Sequence, residues 1–327
     1  MLSQQYNSIA KQWFFEEKKK KKAVATVPQI SYTLTNQVDL SNCSAAYSLR
    51  AVNVSYLGNP CLDVTRSDNA TCSVYTDCAR NVFKITYGGT TVYGPTAFSD
   101  WAGASTLTVV KLYDQTGNNR HLDSVNISGK TYPTTTAALD KIVFTGSQNI
   151  ERLDSTGTNL PLTVGTDEYT MVCVHKVTTL TAGYYQDAMS LTNTTTASST
   201  STRASLLYVQ TNAWGFAGHG NDCTTFTPSS INTMYRLVMC VNNNTGTNNI
   251  NAYRNGSLFS GLTTTKTNLN LKPYITALGS CGSSYSSTGE YFKGEIYEAF
   301  IYNTDLNLSA NSAKLTALNT SLAGMYP

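Results

Sequence analysis

Three glutamates near the end of the chain are the side chains best placed for acid–base chemistry: Glu290, Glu295 and Glu298. A retaining glycoside hydrolase needs two carboxyl groups about 5–5.5 Å apart, and an inverting enzyme needs them about 6.5–9.5 Å apart. Glu295 and Glu298 lie in one strand-like segment, an odd number of positions apart. Residues at such spacing point to opposite faces of a regular strand, so these two glutamates are not expected to form a catalytic pair.

Metal and nucleophile chemistry find little support in the sequence. The histidines His121, His175 and His219 are isolated, and no Cys-x-x-Cys or His-x-x-x-His spacing typical of zinc sites occurs. His175 lies in an apolar strand-like segment and is predicted to be a hydrogen-bonded sheet residue. No cofactor is predicted, except that Asp114 with Asp63 or Asp68 and asparagine carbonyls has the donor types of a calcium site.

A polar turn follows the most strongly predicted early strand. The β-branched and apolar segment 106–112, which also contains Lys111, leads into Tyr-Asp-Gln-Thr-Gly-Asn-Asn at 113–119. Asp114 and Asn118 can hydrogen-bond nearby backbone N–H groups, and Gly117 can adopt the positive φ of a tight turn. Such a turn either binds a ligand or closes a corner of a sandwich, and the absence of a catalytic partner favours a structural role for Asp114.

Aromatic residues beside polar loops are candidates for sugar binding. An aromatic ring packs on the face of a sugar while amides and carboxylates bind its hydroxyl groups. The candidate ligand-binding residues are Asp114, Asn118, Trp101, Trp214 and Tyr285. Tyrosine and tryptophan also form the core or rim of β-proteins, so each of these aromatic residues could be structural instead.

Composition and hydrophobic patterning indicate an all-β protein. The chain has 327 residues with 21 Tyr and 22 Gly, and only 13% of its residues are charged. Short apolar or alternating segments recur from residue 30 onward with Asn/Gly/Pro turns between them, and one helix is predicted at 305–322. No long helical segment separates the early strands, so a parallel βαβ sheet is not expected.

The first 29 residues are predicted to be a separate N-terminal anchor and linker, with the sandwich at 30–327. Residues 1–22 hold six lysines and two glutamates, so the rest of the chain is close to neutral and no nucleic-acid partner is expected for the sandwich. The segment is either a disordered leader or an amphipathic helix that docks into a partner protein or onto an anionic surface. The apolar residues of that helix would be Leu2, Tyr6, Ile9, Trp13 and Phe14.

Eight cysteines and nine Asn-x-Ser/Thr sequons suggest an oxidising exterior, although many sequons arise by chance in a chain so rich in Asn and Thr. Cys72 and Cys78 flank a polar segment and are predicted to close a small disulfide ring, whereas Cys173 and Cys240 could be buried thiols. No transmembrane segment or secretory signal is apparent. We therefore expect either a processed fragment or a protein that reaches the exterior as part of a particle.

Two parts of the sequence resemble known families of one fold. Ala46-Tyr47-Ser48-Leu49-Arg50, the segment 64–69 and Val110 to His121 resemble the opening of the arabinofuranosidase B catalytic domain, which also recurs in phage and large-virus surface proteins. This similarity covers residues 44–125. It departs from the family pattern at Leu112, where tryptophan is usual, and at the 116–119 turn.

Residues 169–323 are similar to the laminin-G and pentraxin-like end of the concanavalin A-like jelly roll. The segments that carry this similarity are Tyr253-Arg254-Asn255-Gly256, Leu278-Gly279, Phe292 to Glu298 and Ile301-Tyr302-Asn303. The resemblance implies a structural hydrogen-bonding role for Glu298. No vicinal cysteines and no acid-rich strand occur between 171 and 216, where Asp187 stands alone, so arabinofuranosidase catalysis is not expected.

The resemblance implies a single concanavalin A-like jelly-roll β-sandwich with a short C-terminal helix and an N-terminal amphipathic, basic tail. The expected function is a non-enzymatic structural or recognition protein on the exterior of a particle, such as a virus capsid or spike component, with glycan binding. Its partners would be other capsid proteins, reached through the N-terminal segment in an oligomeric assembly on the virion surface or outside the cell. The alternative is a secreted carbohydrate-active protein, either a lectin or an arabinofuranosidase-like glycoside hydrolase.

Overall fold

Antiparallel strands are the main secondary structure of the residues that this computed structural model describes. It describes residues 34, 36–124, 132–146, 148, 150–153, 160, 168–180, 186–192, 204–210, 213–217, 227–228, 230–242, 250–259, 275–280 and 291–327. The predicted anchor residues Leu2, Tyr6, Ile9, Trp13 and Phe14 lie outside these ranges. In the described ranges, neither helix is long and apolar enough to cross a membrane.

The strands in chain order are β1 (Cys43–Ser48), β2 (Leu62–Arg66), β3 (Thr71–Thr76), β4 (Val82–Tyr87), β5 (Thr90–Tyr93), β6 (Leu107–Leu112), β7 (Leu122–Ser124), β8 (Thr134–Thr135), β9 (Ile142–Thr145), β10 (Ile150–Leu153), β11 (Tyr169–Val177), β12 (Asp187–Thr192), β13 (Ala204–Gln210), β14 (Ala213–Ala217), β15 (Thr227–Pro228), β16 (Met234–Val241), β17 (Ile250–Arg254), β18 (Ser257–Leu258), β19 (Ile275–Leu278) and β20 (Lys293–Tyr302). The α-helices are α1 (Ala97–Ala102) and α2 (Ser312–Met325), and short 3-10 turns form at Val54–Tyr56 and Ser309–Asn311.

The strands form the two layers of a β-sandwich, which confirms the predicted all-β fold. The back layer has the strand order β1-β20-β11-β16-β17-β18. The front layer runs β5-β4-β3-β2-β6-β7-β10-β19-β12-β13-β14-β15. Strand β8 pairs with β6 of the front layer and with β9, and β9 pairs with β20 of the back layer. These two strands thereby join the layers.

Two apolar clusters stabilise this arrangement. The inner cluster lies between the layers and includes Val64, Val74, Met171 and Ile301. An outer cluster lies between the back layer and α2, where Leu318 and Leu322 pack with residues of the central strands. Since β20 contributes to both clusters, nine of its ten residues are buried.

The structure corrects the predicted start of the C-terminal helix from residue 305 to Ser312. Asp305 is buried, and its carboxylate accepts the backbone N–H of Asn307 at 2.7 Å. The side chain of Asn311 donates to Asp305 O at 2.8 Å, which stabilises the turn that precedes the helix. Local side-chain hydrogen bonds of this kind compete with helix formation.

A strand replaces the predicted disulfide loop. Cys72 lies near the start of β3, whereas Cys78 follows the end of that strand, and both thiols are free and buried. An extended chain rises about 3.3 Å per residue. The strand from Cys72 to Thr76 alone spans about 13 Å, against a Cα–Cα distance of roughly 4.4–6.8 Å in a disulfide. Both thiols are free, so the predicted Cys72–Cys78 bridge is wrong.

Candidate functional site

The outer face of the front layer carries a set of polar and aromatic side chains from neighbouring strands. In β2, β3 and β4, alternate residues such as Leu62, Val74 and Ile85 point into the inner cluster. The intervening residues therefore point to the opposite face, because side chains alternate along a strand. We call Asp63, Tyr75, Lys84, Tyr93, Lys111 and Tyr113 the tyrosine face.

Strand register places one row of this face side by side. Tyr75 of β3 is paired with Lys84 of β4, which is paired with Tyr93 of β5. The Lys84 Nζ atom lies 3.6 Å from the centroid of the Tyr75 ring. Tyr93 is 44% exposed and leaves a large part of its side chain to the solvent.

A second, polar row runs across the neighbouring strands. Asp63 of β2 pairs with Ser73 on one side and with Lys111 on the other, and Lys111 pairs with Asp123 of β7. Lys111 Nζ and Asp123 Oδ1 form an ion pair at 3.2 Å. The row thus presents a hydroxyl, two carboxylates and an ammonium group on one surface.

Tyr113 orients the Asp63 carboxylate. The tyrosine hydroxyl donates to Asp63 Oδ2 at 2.9 Å. Burial, reinforced by the nearby Asp63 charge, raises the pKa of Tyr113, so its hydroxyl stays protonated. Asp63 Oδ1 has no hydrogen-bond partner among the described residues. Tyr113 therefore holds one carboxylate oxygen in place, and the other oxygen is buried.

The Asp114 turn, by contrast, directs its side chain toward its own backbone. Asp114 is 1% exposed, and its carboxylate accepts the N–H groups of Ala46, Thr116 and Arg120 at 3.0–3.1 Å. The Asp114 N–H donates to His121 Nδ1 at 3.0 Å. These bonds tie the turn to β1, so the geometry supports closure of a sandwich corner.

The other predicted ligand-binding residues are not gathered in one place. Asn118 donates to Ser44 O at 3.2 Å and to Thr116 Oγ1 at 2.8 Å. Trp214 lies in β14, but the placement of its side chain is not described, and Tyr285 lies outside the described residues. Their binding roles stay predictions.

Trp101 lies in α1 and closes one end of the inner cluster. It is 7% exposed and stacks on Phe98 with ring centroids 5.9 Å apart. The guanidinium of Arg66 lies 4.9 Å from its ring centroid, and Tyr87 packs beside it at 6.3 Å. With these neighbours around it, Trp101 has the environment of a core residue.

A β-bulge overturns the expected orientation of the two C-terminal glutamates. Along β11, Val174 pairs with Glu298 and the next residue pairs with Ile296, so Tyr297 is an extra residue in β20. Ile296 belongs to the inner cluster and Tyr297 to the outer one. The bulge therefore returns Glu295 and Glu298 to the same, outer side of the back layer, because it breaks the alternation.

Glu298 nevertheless has the structural role that was expected. Its carboxylate and the Arg50 guanidinium form an ion pair in which both side chains are fully buried. Ser48 Oγ also donates to Glu298 Oε1 at 3.0 Å. Burial by itself would lower the pKa of Arg50, but the Glu298 charge outweighs it and the pKa is raised.

Glu295 is held by two lysines. Its carboxylate lies 2.6 Å from Lys176 Nζ and 3.2 Å from Lys141 Nζ, and it accepts the Tyr297 hydroxyl at 2.6 Å. Burial opposes ionisation, yet these bonds lower the pKa of Glu295. A carboxyl group stabilised in its charged form is poorly suited to be the general acid of a glycoside hydrolase.

Metal-type clusters are also missing from the described ranges, where no group of three or more His, Cys, Asp or Glu side chains could hold an ion. Of the calcium candidates, Asp114 bonds its own turn and Asp68 pairs with Arg66 at 2.5 Å. Asp187, the lone acidic residue between 171 and 216, is fully buried in β12. The calcium hypothesis stays a prediction.

The protein resembles solved structures of carbohydrate-cleaving enzymes. No protein-family model and no curated protein matches the chain. A GH54 α-L-arabinofuranosidase soaked with a cyclic sulfate inhibitor has a TM-score of 0.62 at 15% identity, over 86% of this chain and 63% of that one. An arabinofuranosidase complexed with arabinofuranosyl-alpha-1,2-xylobiose has a TM-score of 0.57 at 16% identity, over 85% and 63%. The likeness shows a shared fold.

At the level of the fold, this likeness agrees with the resemblance seen at residues 44–125. The chain spans less than two thirds of the length of these two enzymes. The resemblance to viral surface proteins receives no support from these comparisons.

Sequence reasoning missed the tyrosine face because its residues come from five separate strands. Tyr75 lies in the segment that was interpreted as a disulfide loop, and Tyr93 follows a Gly-Gly turn whose hairpin was not predicted. Alternation within β3 and β4 could have indicated which residues point outward. Register across strands, which places Tyr75, Lys84 and Tyr93 in one row, is a long-range property.

Proposed function

We propose that the protein is a non-enzymatic carbohydrate-binding protein and that the tyrosine face holds an oligosaccharide. The observation that carries this proposal is the side-by-side arrangement of Tyr75, Lys84 and Tyr93 next to the polar row of Asp63 and Lys111. An exposed aromatic ring beside fixed polar groups is the combination that sugar recognition requires. The shared fold with carbohydrate-cleaving enzymes supports the proposal at the level of architecture.

Each group has a distinct role in the proposed site. The Tyr93 ring packs on one sugar, since it is the most exposed aromatic of the face. Asp63, held by the Tyr113 hydroxyl, places a negative charge beside Lys111 in the polar row. Lys84 and Lys111 donate to sugar oxygens. The tyrosine face is five strands wide, at about 4.8 Å per strand, and has room for several sugars.

Binding without cleavage fits the environment of the carboxylates. Glu295 and Glu298 lie on the outer side of the back layer and are neutralised by neighbouring cations. On the tyrosine face, Asp63 accepts from Tyr113 and Asp123 pairs with Lys111.

A glycan array followed by a hydrolysis assay tests this function. We expect saturable binding to at least one oligosaccharide class and no release of sugar from arabinofuranosides or from the bound glycan. Turnover that a carboxylate substitution abolishes would instead establish the glycoside hydrolase alternative. Absence of binding to every glycan would refute the proposal.

The particle-surface role and the anchoring by the N-terminal segment remain predictions that glycan binding would complement. A glycan-binding sandwich with an amphipathic, basic leader suits a protein displayed on an assembly. Deletion of residues 2–22 should abolish incorporation into particles while leaving glycan binding intact. Unchanged incorporation would remove the anchoring hypothesis.

A further inference from the structure

Lys84 differs from the lysines of the sandwich that form ion pairs. Lys111, Lys141, Lys176 and Lys314 each have a carboxylate oxygen within 4 Å. Among the described residues Lys84 has no such partner, and its Nζ donates to Gly58 O at 3.4 Å, which is long for a hydrogen bond. An ammonium group carries three donors, so the capacity of Lys84 to donate is largely unused.

The Tyr75 ring fixes the position of this ammonium. Nζ lies 3.6 Å from the ring centroid, well within the roughly 6 Å limit of a cation–π contact. Tyr75 therefore acts as a positioning residue that holds the charge beside Tyr93. Burial lowers the pKa of Lys84, which shows that its surroundings do not stabilise the charge fully.

Other charges on the face do not satisfy Lys84. Lys111 and Asp123 neutralise one another. Asp63 lies two strands away, on β2, and the strand spacing puts it roughly 10 Å from Lys84, close to the Debye length at 0.1 M salt. An anion bound beside Tyr93 would thus meet an uncompensated positive charge.

We propose that the glycan recognised by the tyrosine face is acidic and that its carboxylate or sulfate group binds the Lys84 ammonium beside Tyr93. This inference rests on the proposed function. Charge complementarity selects the acidic sugar, because a neutral sugar would leave Lys84 without a counter-ion. A sugar hydroxyl can also accept a hydrogen bond from the ammonium, but a carboxylate or sulfate oxygen adds the attraction between opposite charges.

Matched pairs of oligosaccharides test the inference. The probes are oligogalacturonate against its methyl ester, and a sulfated galactan oligosaccharide against its desulfated form, measured by calorimetry in about 0.1 M salt, where screening is moderate. We expect at least one acidic member to bind about tenfold more tightly than its neutral partner. Lys84→Met should abolish that preference, Lys84→Arg should keep most of it, and Lys314→Met, on the other side of the sandwich, should not change it.

The outcomes separate the two levels of the proposal. Equal binding of acidic and neutral partners, or a preference that survives Lys84→Met, would overturn the acidic-glycan inference and leave carbohydrate binding standing. No binding of these probes or of any glycan on the array would overturn both. Circular dichroism of each variant establishes that a lost preference does not reflect unfolding.

Discussion

Arg50, just after β1, forms an ion pair with Glu298 of the last strand, β20, and both side chains are fully buried. The Arg50 Nη1 atom also donates to Asn36 O at 2.7 Å, and the Tyr326 hydroxyl is hydrogen-bonded to Glu298. The pair thereby ties the N-terminal segment of the sandwich, β20 and the C-terminus together. Its energetic role leads to the first prediction.

Removing one partner of this pair should destabilise the fold strongly. Glu298→Gln leaves the Arg50 charge buried without its counter-ion, which typically costs about 3–5 kcal/mol. Urea unfolding measures the change in the free energy of unfolding. The control is Asp68→Asn, which removes a solvent-exposed pair with Arg66 and should change stability little. Equal effects of the two substitutions would contradict a structural role for Glu298.

Asp114 should contribute to stability and not to ligand binding. Asp114→Asn replaces one of the two acceptor oxygens with a donor, which then faces the N–H group of either Thr116 or Arg120. Leaving buried donors unsatisfied typically costs about 1–3 kcal/mol. We expect a lower unfolding midpoint with unchanged glycan affinity at a temperature where the variant is folded. An affinity loss without destabilisation would restore the binding role predicted from sequence.

His175 should make the folded protein less stable as the pH is lowered. It is fully buried between Tyr235 and Phe292, its Nδ1 lies 3.3 Å from Cys173 O, and Nε2 has no partner among the described residues. Burial lowers its pKa from 6.5 to about 4. The unfolded chain therefore binds the proton more readily, and stability present above pH 6.5 is lost as the pH falls toward 4.

Unfolding curves from pH 7 to 4 test this dependence. At 1.36 kcal/mol per pKa unit, His175 accounts for roughly 3 kcal/mol of the loss. His175→Leu should remove that part of the slope while the carboxylate contributions, common to both proteins, remain. Parallel stability curves for the two proteins would show that His175 is protonated equally easily in both states.

Cys72 and Cys78 should react as free thiols. Alkylation in denaturant without reductant, followed by peptide mapping, should recover both cysteines alkylated. In the native protein both should react slowly, because burial raises the pKa of each thiol. A peptide linking Cys72 to Cys78 would restore the predicted disulfide ring.

The predicted strands that matched the structure are those with strict alternation or long apolar runs. Residues 61–66, 82–86 and 106–113 correspond to β2, β4 and β6. The predicted Asn255-Gly256 hairpin is confirmed, since both residues have positive φ between β17 and β18. These features are local, so a single segment contains the information that determines them.

The features that escaped prediction depend on contacts between distant segments. The bulge at Tyr297 becomes visible only where β20 pairs with β11. Cys72 appeared to lie in a polar loop because β3 alternates buried and outward-facing residues, and its polar residues form the outer face. Asp114 was identified correctly as a turn residue, but the row from Tyr75 to Tyr93 required the register of three strands.

Calorimetric titration of the best glycan from the array against Tyr93→Ala and Tyr87→Ala tests the central claim most directly. Tyr93 and Tyr87 lie in the same hairpin, and their side chains are 44% and 38% exposed. Tyr87, however, packs beside Trp101 at the end of the inner cluster. Carbohydrate binding on the tyrosine face predicts that Tyr93→Ala loses at least about 1 kcal/mol of binding free energy, with Tyr87→Ala unchanged. Unchanged affinity in Tyr93→Ala, or equal losses in both variants, would contradict it.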